Sequence, residues 1–241
     1  MTDLRGKYIS ILGASTSTFD GYSNSTAYNS SIGNNKPYYP KAEFMQDVAD
    51  TWWMRTITAL DLKLCVNNSW SGSCVSTVRD GSEKAACVDR CVQLHNDRLG
   101  IEPDIIILII GGNDALRGFE IGTYNDASEI YNGAYIGDYT KFGQAYATMV
   151  HKVKNRYPNA DVYVCSMLHW PLRKSTKDLN LYNDVIRRIA DEFQLQYIDF
   201  YNGTEITPET APLYLHTDGV HPKPAGFAQM AECVIRALCS K

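Results

Sequence analysis

Asp218 and His221, separated by Gly219-Val220 and followed by Pro222, put a carboxylate and an imidazole within one turn of chain. Histidine titrates near neutrality and can accept a proton there. A carboxylate on its second ring nitrogen fixes the tautomer that leaves the first nitrogen free. Such a pair suits a hydroxyl nucleophile, and Ser15 in Gly13-Ala14-Ser15 offers one directly after the apolar run Ile9–Leu12. Two more blocks, Asn68-Ser69-Trp70-Ser71-Gly72 and Gly111-Gly112-Asn113-Asp114, each follow another apolar run. Glycine lets a backbone N–H approach a substrate closely, and the Asn113 amide is a side-chain donor. With the N–H of Ser15 they make three donors for a developing oxyanion. That inventory is the one acyl transfer by serine requires.

Each residue has a plainer reading. Gly13–Ser15 alone also describes a turn or an anion-binding loop, Gly72 a turn and Asn113 a helix cap. Thr16, Ser17 and Thr18 add hydroxyls beside Ser15, and Ser17 is the second candidate nucleophile if the turn is displaced. His216 is two residues from Asp218 without an obvious carboxylate of its own, which suggests a substrate-facing or capping role. His95, His151 and His169 read as surface or packing residues. The sequential order of the four blocks favours function over these alternatives.

The elements that must position these groups are legible in the apolar pattern. Strands are expected at Tyr8–Leu12, Leu62–Val66, Ile105–Ile110, Val162–Ser166 and Tyr197–Phe200, short continuous runs of the kind buried on both faces of a parallel sheet. Helical spacing is expected over Ala42–Leu60, Tyr139–Tyr157, Asp178–Phe193 and Pro224–Leu238. Trp52 and Trp53 fall in the first of these, so at least one faces the core. Alternating strands and helices imply β-α-β units in a doubly wound α/β sheet. Phe19–Pro40 and Leu116–Asp138, rich in Ser, Asn, Gly and Tyr, are long loops leaving the first and third strands at the edge where open α/β sheets bind ligands. No linker or repeat divides the chain, so residues 1–241 read as one domain.

Composition narrows the partners. Of 241 residues, 44% are hydrophobic and 21% charged, enough for a sizeable core, and the net charge of −4 argues against nucleic acid. Arg187-Arg188 reads as a solvated helix face. No apolar stretch reaches the ~20 residues of a membrane span, and Met1–Lys7 lacks a signal-peptide core. Seven cysteines form an odd set, which favours a reducing, cytoplasmic setting over a secreted one. Cys87 and Cys91, spaced i,i+4 on an expected helix, read as buried small hydrophobes, not metal ligands. A disulfide between Cys65 and Cys74 across the Asn67–Gly72 turn is left open.

The ordered blocks resemble the SGNH hydrolases, the GDSL-like lipase/acylhydrolase family, over nearly the whole chain. The resemblance implies a flavodoxin-like three-layer α/β/α sandwich with a five-stranded parallel sheet. It implies ester hydrolysis through an acyl-serine, with Ser15 as nucleophile, His221 as base and Asp218 as its orienter. It implies Ser15, Gly72 and Asn113 as the oxyanion hole, with no metal or cofactor. One position departs from the pattern: Ala14 stands where the family usually carries the aspartate that shapes the nucleophile turn.

Tyr22, Tyr28, Tyr38, Tyr39, Tyr124, Tyr131 and Tyr135 crowd the two long loops, and tyrosines suit partly polar ligands such as sugars. The expected substrate is therefore a small-molecule or oligosaccharide ester carrying a short acyl or acetyl group. Rival readings are a catalytically silent carbohydrate-binding module using the same cleft, a lysophospholipase or acyltransferase of the same family, and a nucleotide binder. The last matches no Walker pattern, because Gly13–Thr18 contains no lysine and one glycine.

Overall fold

The computed structural model describes residues 3–23, 37–77, 86–122, 139–173 and 178–240. Tyr28, Tyr124, Tyr131 and Tyr135 lie outside them. In chain order the main elements are β1 (Tyr8–Gly13), α1 (Trp52–Leu60), β2 (Lys63–Asn67), β3 (Ile105–Ile109), α2 (Gly112–Leu116), α3 (Phe142–Arg156), β4 (Asp161–Cys165), α4 (Leu179–Glu192), β5 (Gln196–Ile198), α5 (Phe200–Gly203), α6 (Ala211–Tyr214) and α7 (Pro224–Cys239).

The five strands form one all-parallel sheet in the order β2-β1-β3-β4-β5. Every residue of β3 is buried, as the unbroken run of isoleucine and leucine requires of a central strand covered on both faces. Helix α1 packs on α7, and α3 packs on α4. Right-handed crossovers that leave β1 toward β2, and β3 toward β4 and β5, place these pairs on opposite faces of the sheet. The result is the flavodoxin-like three-layer arrangement. Its chain reverses direction between β1 and β3, the switch point outside whose carboxyl ends ligands bind in open α/β sheets.

Expected and observed strands agree to within a residue or two. Helix α1, by contrast, begins ten residues later than the pattern over Ala42–Leu60 suggests. The cause is local: Asp47 accepts from the Ala49 N–H and supports a 3-10 turn at Val48–Asp50, after which Thr51 is extended and caps Met54 at 3.2 Å. Both Trp52 and Trp53 are fully buried. The Cys87–Cys91 stretch also departs from expectation, being turns followed by a 3-10 turn at Arg90–Val92. Both thiols are nonetheless buried in the core. No disulfide joins Cys65 and Cys74, and Cys65 Sγ lies against the carbonyls of Ile101 and Leu94 at 3.5 and 3.8 Å. Among the described residues no helix is long and apolar enough to cross a membrane.

Candidate active site

Ser15 stands just beyond the end of β1, at the start of a 3-10 turn over Ser15–Ser17. The turn is tight because Gly13 has no side chain; a Cβ there would come within 2.9 Å of both Ser17 Oγ and Ser69 Oγ. Ala14, extended and buried, precedes the turn without a side-chain cap, as expected of a residue lacking an acceptor. Ala14 lines the pocket beside Ser15.

His221 reaches the same point from the other end of the chain. Its Nε2 lies 2.7 Å from Ser15 Oγ, and its Nδ1 lies 2.7 Å from Asp218 Oδ2. The spacing of Asp218 and His221 has a geometric explanation. Asp218 Oδ1 accepts the N–H groups of Val220 and His221 at 2.9 and 3.0 Å, which curls the backbone and turns Oδ2 toward the imidazole. Gly219 makes that curl at φ +71°, a region that side chains other than glycine rarely adopt. The His216 N–H donates to the His221 carbonyl at 2.8 Å and the Gly219 N–H to that of His216 at 2.9 Å, closing the loop.

Burial alone would raise the Asp218 carboxyl, but the hydrogen bonds from His221 and Val220 outweigh it and hold the group well below the usual carboxylate range. It is therefore ionised at neutral pH. The assigned network leaves Nε2 as acceptor for the Ser15 hydroxyl proton.

Asn113 lies within α2, not at its cap, and its amide donates to the Ser73 carbonyl at 2.8 Å, leaving its second N–H for a ligand. Gly72, in the turn after Ser71 at φ +74°, is adjacent to that Ser73 anchor, and its own carbonyl accepts from Arg117 at 3.2 Å. Ser15, Asn113 and His221 share a pocket of about 250 Å³, whose lining does not include Gly72. The rest of its wall is mostly apolar, from Ile110, Leu116, Met167, Leu168, Trp170 and Val220, with Arg173 its one Asp, Glu, Lys or Arg side chain.

Ser17, the other candidate hydroxyl, is fully buried and accepts the Trp52 indole N–H at 3.1 Å, so it faces the core. His216 stacks on Phe44 with ring centroids 4.4 Å apart, and its nitrogens lie 3.9 Å from Glu43 and 3.8 Å from Asp218. It does have carboxylates nearby, contrary to expectation. His169 Nδ1 bonds the Ile206 carbonyl, His151 is on α3 beside Asn155, and His95 bridges Tyr157 and Asp97, and none of the three lines the pocket at Ser15.

The supporting roles of three residues escaped the sequence reading. Arg90 is buried and donates to the carbonyls of Gly13 at 3.2 Å and Asn68 at 2.9 Å and to Ser73 Oγ, tying the end of β1 to the loop that carries Gly72. Burial pulls its guanidinium down to about 9. Asp114, also buried, accepts from the Val75 and Ser76 N–H groups and the Ser76 hydroxyl, fixing the same loop from the α2 side. Burial pushes its carboxyl up to about 6 despite these donors. Tyr38 stacks directly on His221. Arg90 carried no signal beyond a charged residue between turns, whereas Asp114 and Tyr38 stood within segments already singled out. No three His, Cys, Asp or Glu side chains among the described residues are placed to hold a metal ion.

Comparison with known proteins places the family and the fold. The family model for GDSL-like lipase/acylhydrolase matches residues 7–238. A Vibrio mimicus arylesterase is 25% identical over 138 residues, a match spanning 56% of this chain and 56% of that protein. A crystal structure from Bacteroides ovatus, assigned to the GDSL-like lipases, superposes with a TM-score of 0.71 at 26% identity, covering 98% of this chain and 99% of that one. An acetyl xylan esterase from Geobacillus stearothermophilus shares the fold with a TM-score of 0.58 at 17% identity, covering 99% and 97% of the two chains. Sequence and backbone converge: the chain belongs to the GDSL-like lipase/acylhydrolase family.

Proposed function

We propose that the protein hydrolyses esters of short acyl groups through an acyl-serine intermediate, with acetylated carbohydrates as the substrate class. The observation that carries the mechanism is the continuous line Ser15–His221–Asp218, with both contacts at 2.7 Å. The Ser15 hydroxyl gives its proton to His221 Nε2 as Oγ bonds the carbonyl carbon. The carbonyl oxygen becomes an oxyanion facing the N–H of Ser15 and the free N–H of Asn113, with the N–H of Gly72, outside the pocket lining, as the third donor the family pattern implies. Collapse breaks the ester bond, and the leaving alkoxide takes the proton from Nε2. Water then repeats the sequence on the acyl-serine, and Asp218 stabilises the imidazolium in both halves.

The pocket beside Ser15 supports the acyl preference. At about 250 Å³ it falls below the ~300–1,000 Å³ of sites for drug-sized ligands, and its apolar wall suits a short hydrocarbon more than a long lipid tail. The carbohydrate half of the reading rests on tyrosines of the long loops, of which Tyr22 is exposed and Tyr38 half-buried beside the histidine.

The test is p-nitrophenyl acetate turnover in the unchanged chain and in Ser15→Ala. The expected result is a loss of about 10⁴–10⁶-fold, the range seen when a member of such a triad is removed. Equal turnover in the two proteins would refute the mechanism. A panel of acyl esters from two to twelve carbons, run beside acetylated xylan and mannan fragments, tests the substrate. Rates that rise toward twelve carbons would overturn the short-acyl assignment.

A further inference from the structure

Tyr38 touches His221 and Asp218 directly and reaches Ser15 through Thr18. Its ring lies on the His221 imidazole with centroids 3.5 Å apart and planes 7° from parallel. Its hydroxyl donates to Asp218 Oδ2 at 2.8 Å, the same oxygen that accepts the His221 Nδ1 proton. Its backbone N–H donates to Thr18 Oγ1 at 2.8 Å, and the Thr18 hydroxyl donates in turn to the carbonyl of Ser15. The next residue, Tyr39, is buried and donates its hydroxyl to the Pro222 carbonyl at 2.9 Å, which anchors the segment under the histidine loop.

From this geometry we propose that Tyr38 is a positioning residue of the ester-hydrolysing site, whose ring fixes the plane of His221 and whose hydroxyl moderates the hold of Asp218 on the imidazole. The proposal rests on the esterase reading above. A carboxylate oxygen that already accepts one donor spreads its charge over two hydrogen bonds and binds each less strongly. Asp218 therefore stabilises the imidazolium less with Tyr38 in place than without it. The base loses its proton more readily, and more of it is ready to accept from Ser15 at a given pH. The stack does a separate job. The Ser15 contact is made by one edge of the ring, and a small tilt of the imidazole would lengthen it.

Other titratable and charged groups face this cluster, and none changes in a Tyr38→Phe protein. His216 is 3.8 Å from Asp218 Oδ2 and 3.9 Å from Glu43. Arg173 donates to the Asp218 carbonyl at 3.4 Å. Lys41 lies 4.2 Å from the centre of the Tyr38 ring, and the buried Tyr39 ring stands edge-on to His221 with centroids 6.4 Å apart. The difference between Tyr and Phe at this position isolates the hydroxyl.

Two variants divide the two jobs. Tyr38→Phe keeps the ring and removes the donor, and the acid limb of kcat/KM for p-nitrophenyl acetate is expected to move up by about half to one pH unit, with the plateau rate within a few-fold. Tyr38→Leu removes both, and kcat is expected to fall by roughly 10–100-fold with little change in KM, the signature of a misplaced group. Phenylalanine restoring the plateau that leucine loses would identify the stack as the cause. The His221 ring protons, followed by NMR and assigned by their loss in His221→Asn, give a readout that needs no turnover. Their titration is expected to shift upward in Tyr38→Phe by the same amount. Superimposable titrations in the two proteins would overturn the hydroxyl role, and equal kcat in the Phe and Leu variants would overturn the stack. Failure of the esterase reading would show differently, as an absence of hydrolysis in the unchanged chain.

Discussion

At the scale of single residues, the site depends on donors held in advance. Asn113 is aimed by one hydrogen bond to the Ser73 carbonyl, so its remaining N–H is oriented before any ligand arrives. Asn113→Ala is expected to lower kcat by about 10²–10³-fold with KM nearly unchanged, since the lost hydrogen bond forms fully with the oxyanion only in the transition state. Steady-state kinetics on p-nitrophenyl acetate would check this, and a rise in KM at constant kcat would count against it. Ser15, Asp218, His221, Gly72 and Asn113 stand out as candidates in the chain because their chemistry is written in short motifs. Of these the structure brings Ser15, Asp218, His221 and Asn113 together, while Gly72 stays outside the pocket lining. Arg90 does not stand out in the chain. Its importance comes from acceptors on two other segments, Gly13 and Asn68, and no local pattern announces a guanidinium buried between them.

At the scale of elements, helix α7 matters most to the histidine. It starts three residues after His221, and the Lys223 N–H donates to the Tyr214 carbonyl at 2.8 Å, locking the helix entry to α6. Gly226 lies so close to that same carbonyl that no Cβ fits without movement, and the Pro222 Cβ would be only 3.1 Å away. Gly226→Ala is expected to destabilise the protein by about 1–3 kcal/mol through overpacking, despite alanine's better helix propensity. Thermal or urea unfolding would measure it, and unaltered stability would show that the helix shifts freely. The strands were legible because β-branched, uninterrupted apolar runs have few alternatives. The start of α1 was not, because the apolar spacing continues smoothly through Val48 while a capping aspartate and an extended Thr51 decide the backbone.

For the whole molecule, the order β2-β1-β3-β4-β5 brings residues more than two hundred positions apart to one sheet edge. Its stability carries two carboxylates of opposite sign. Asp218 has a lowered pKa, so its contribution is present above the ordinary carboxylate pKa and is lost as the pH falls through and below that range. Asp114 has a pKa raised to about 6, so the folded state holds a proton that the unfolded chain releases near 4. Its effect therefore runs the other way, stability falling as pH climbs through that window. Relative to Asp114→Asn, which does not titrate, the unchanged protein is expected to lose ground in melting temperature between about pH 4 and pH 7. A constant difference across that range would show that Asp114 does not hold a proton in the folded state. The sequence could not reveal this, because the group is buried by tertiary packing and its partners, Val75 and Ser76, lie almost forty residues away in the chain.

Six of the seven cysteines are buried and only Cys239 is exposed. That thiol closes the sixteen-residue helix α7, roughly 24 Å along the axis from the end that follows His221. A maleimide dye or solid support would accordingly attach at a single point, leaving the mouth of the cleft unobstructed, and the native chain comes with its own tether for immobilised or single-molecule work.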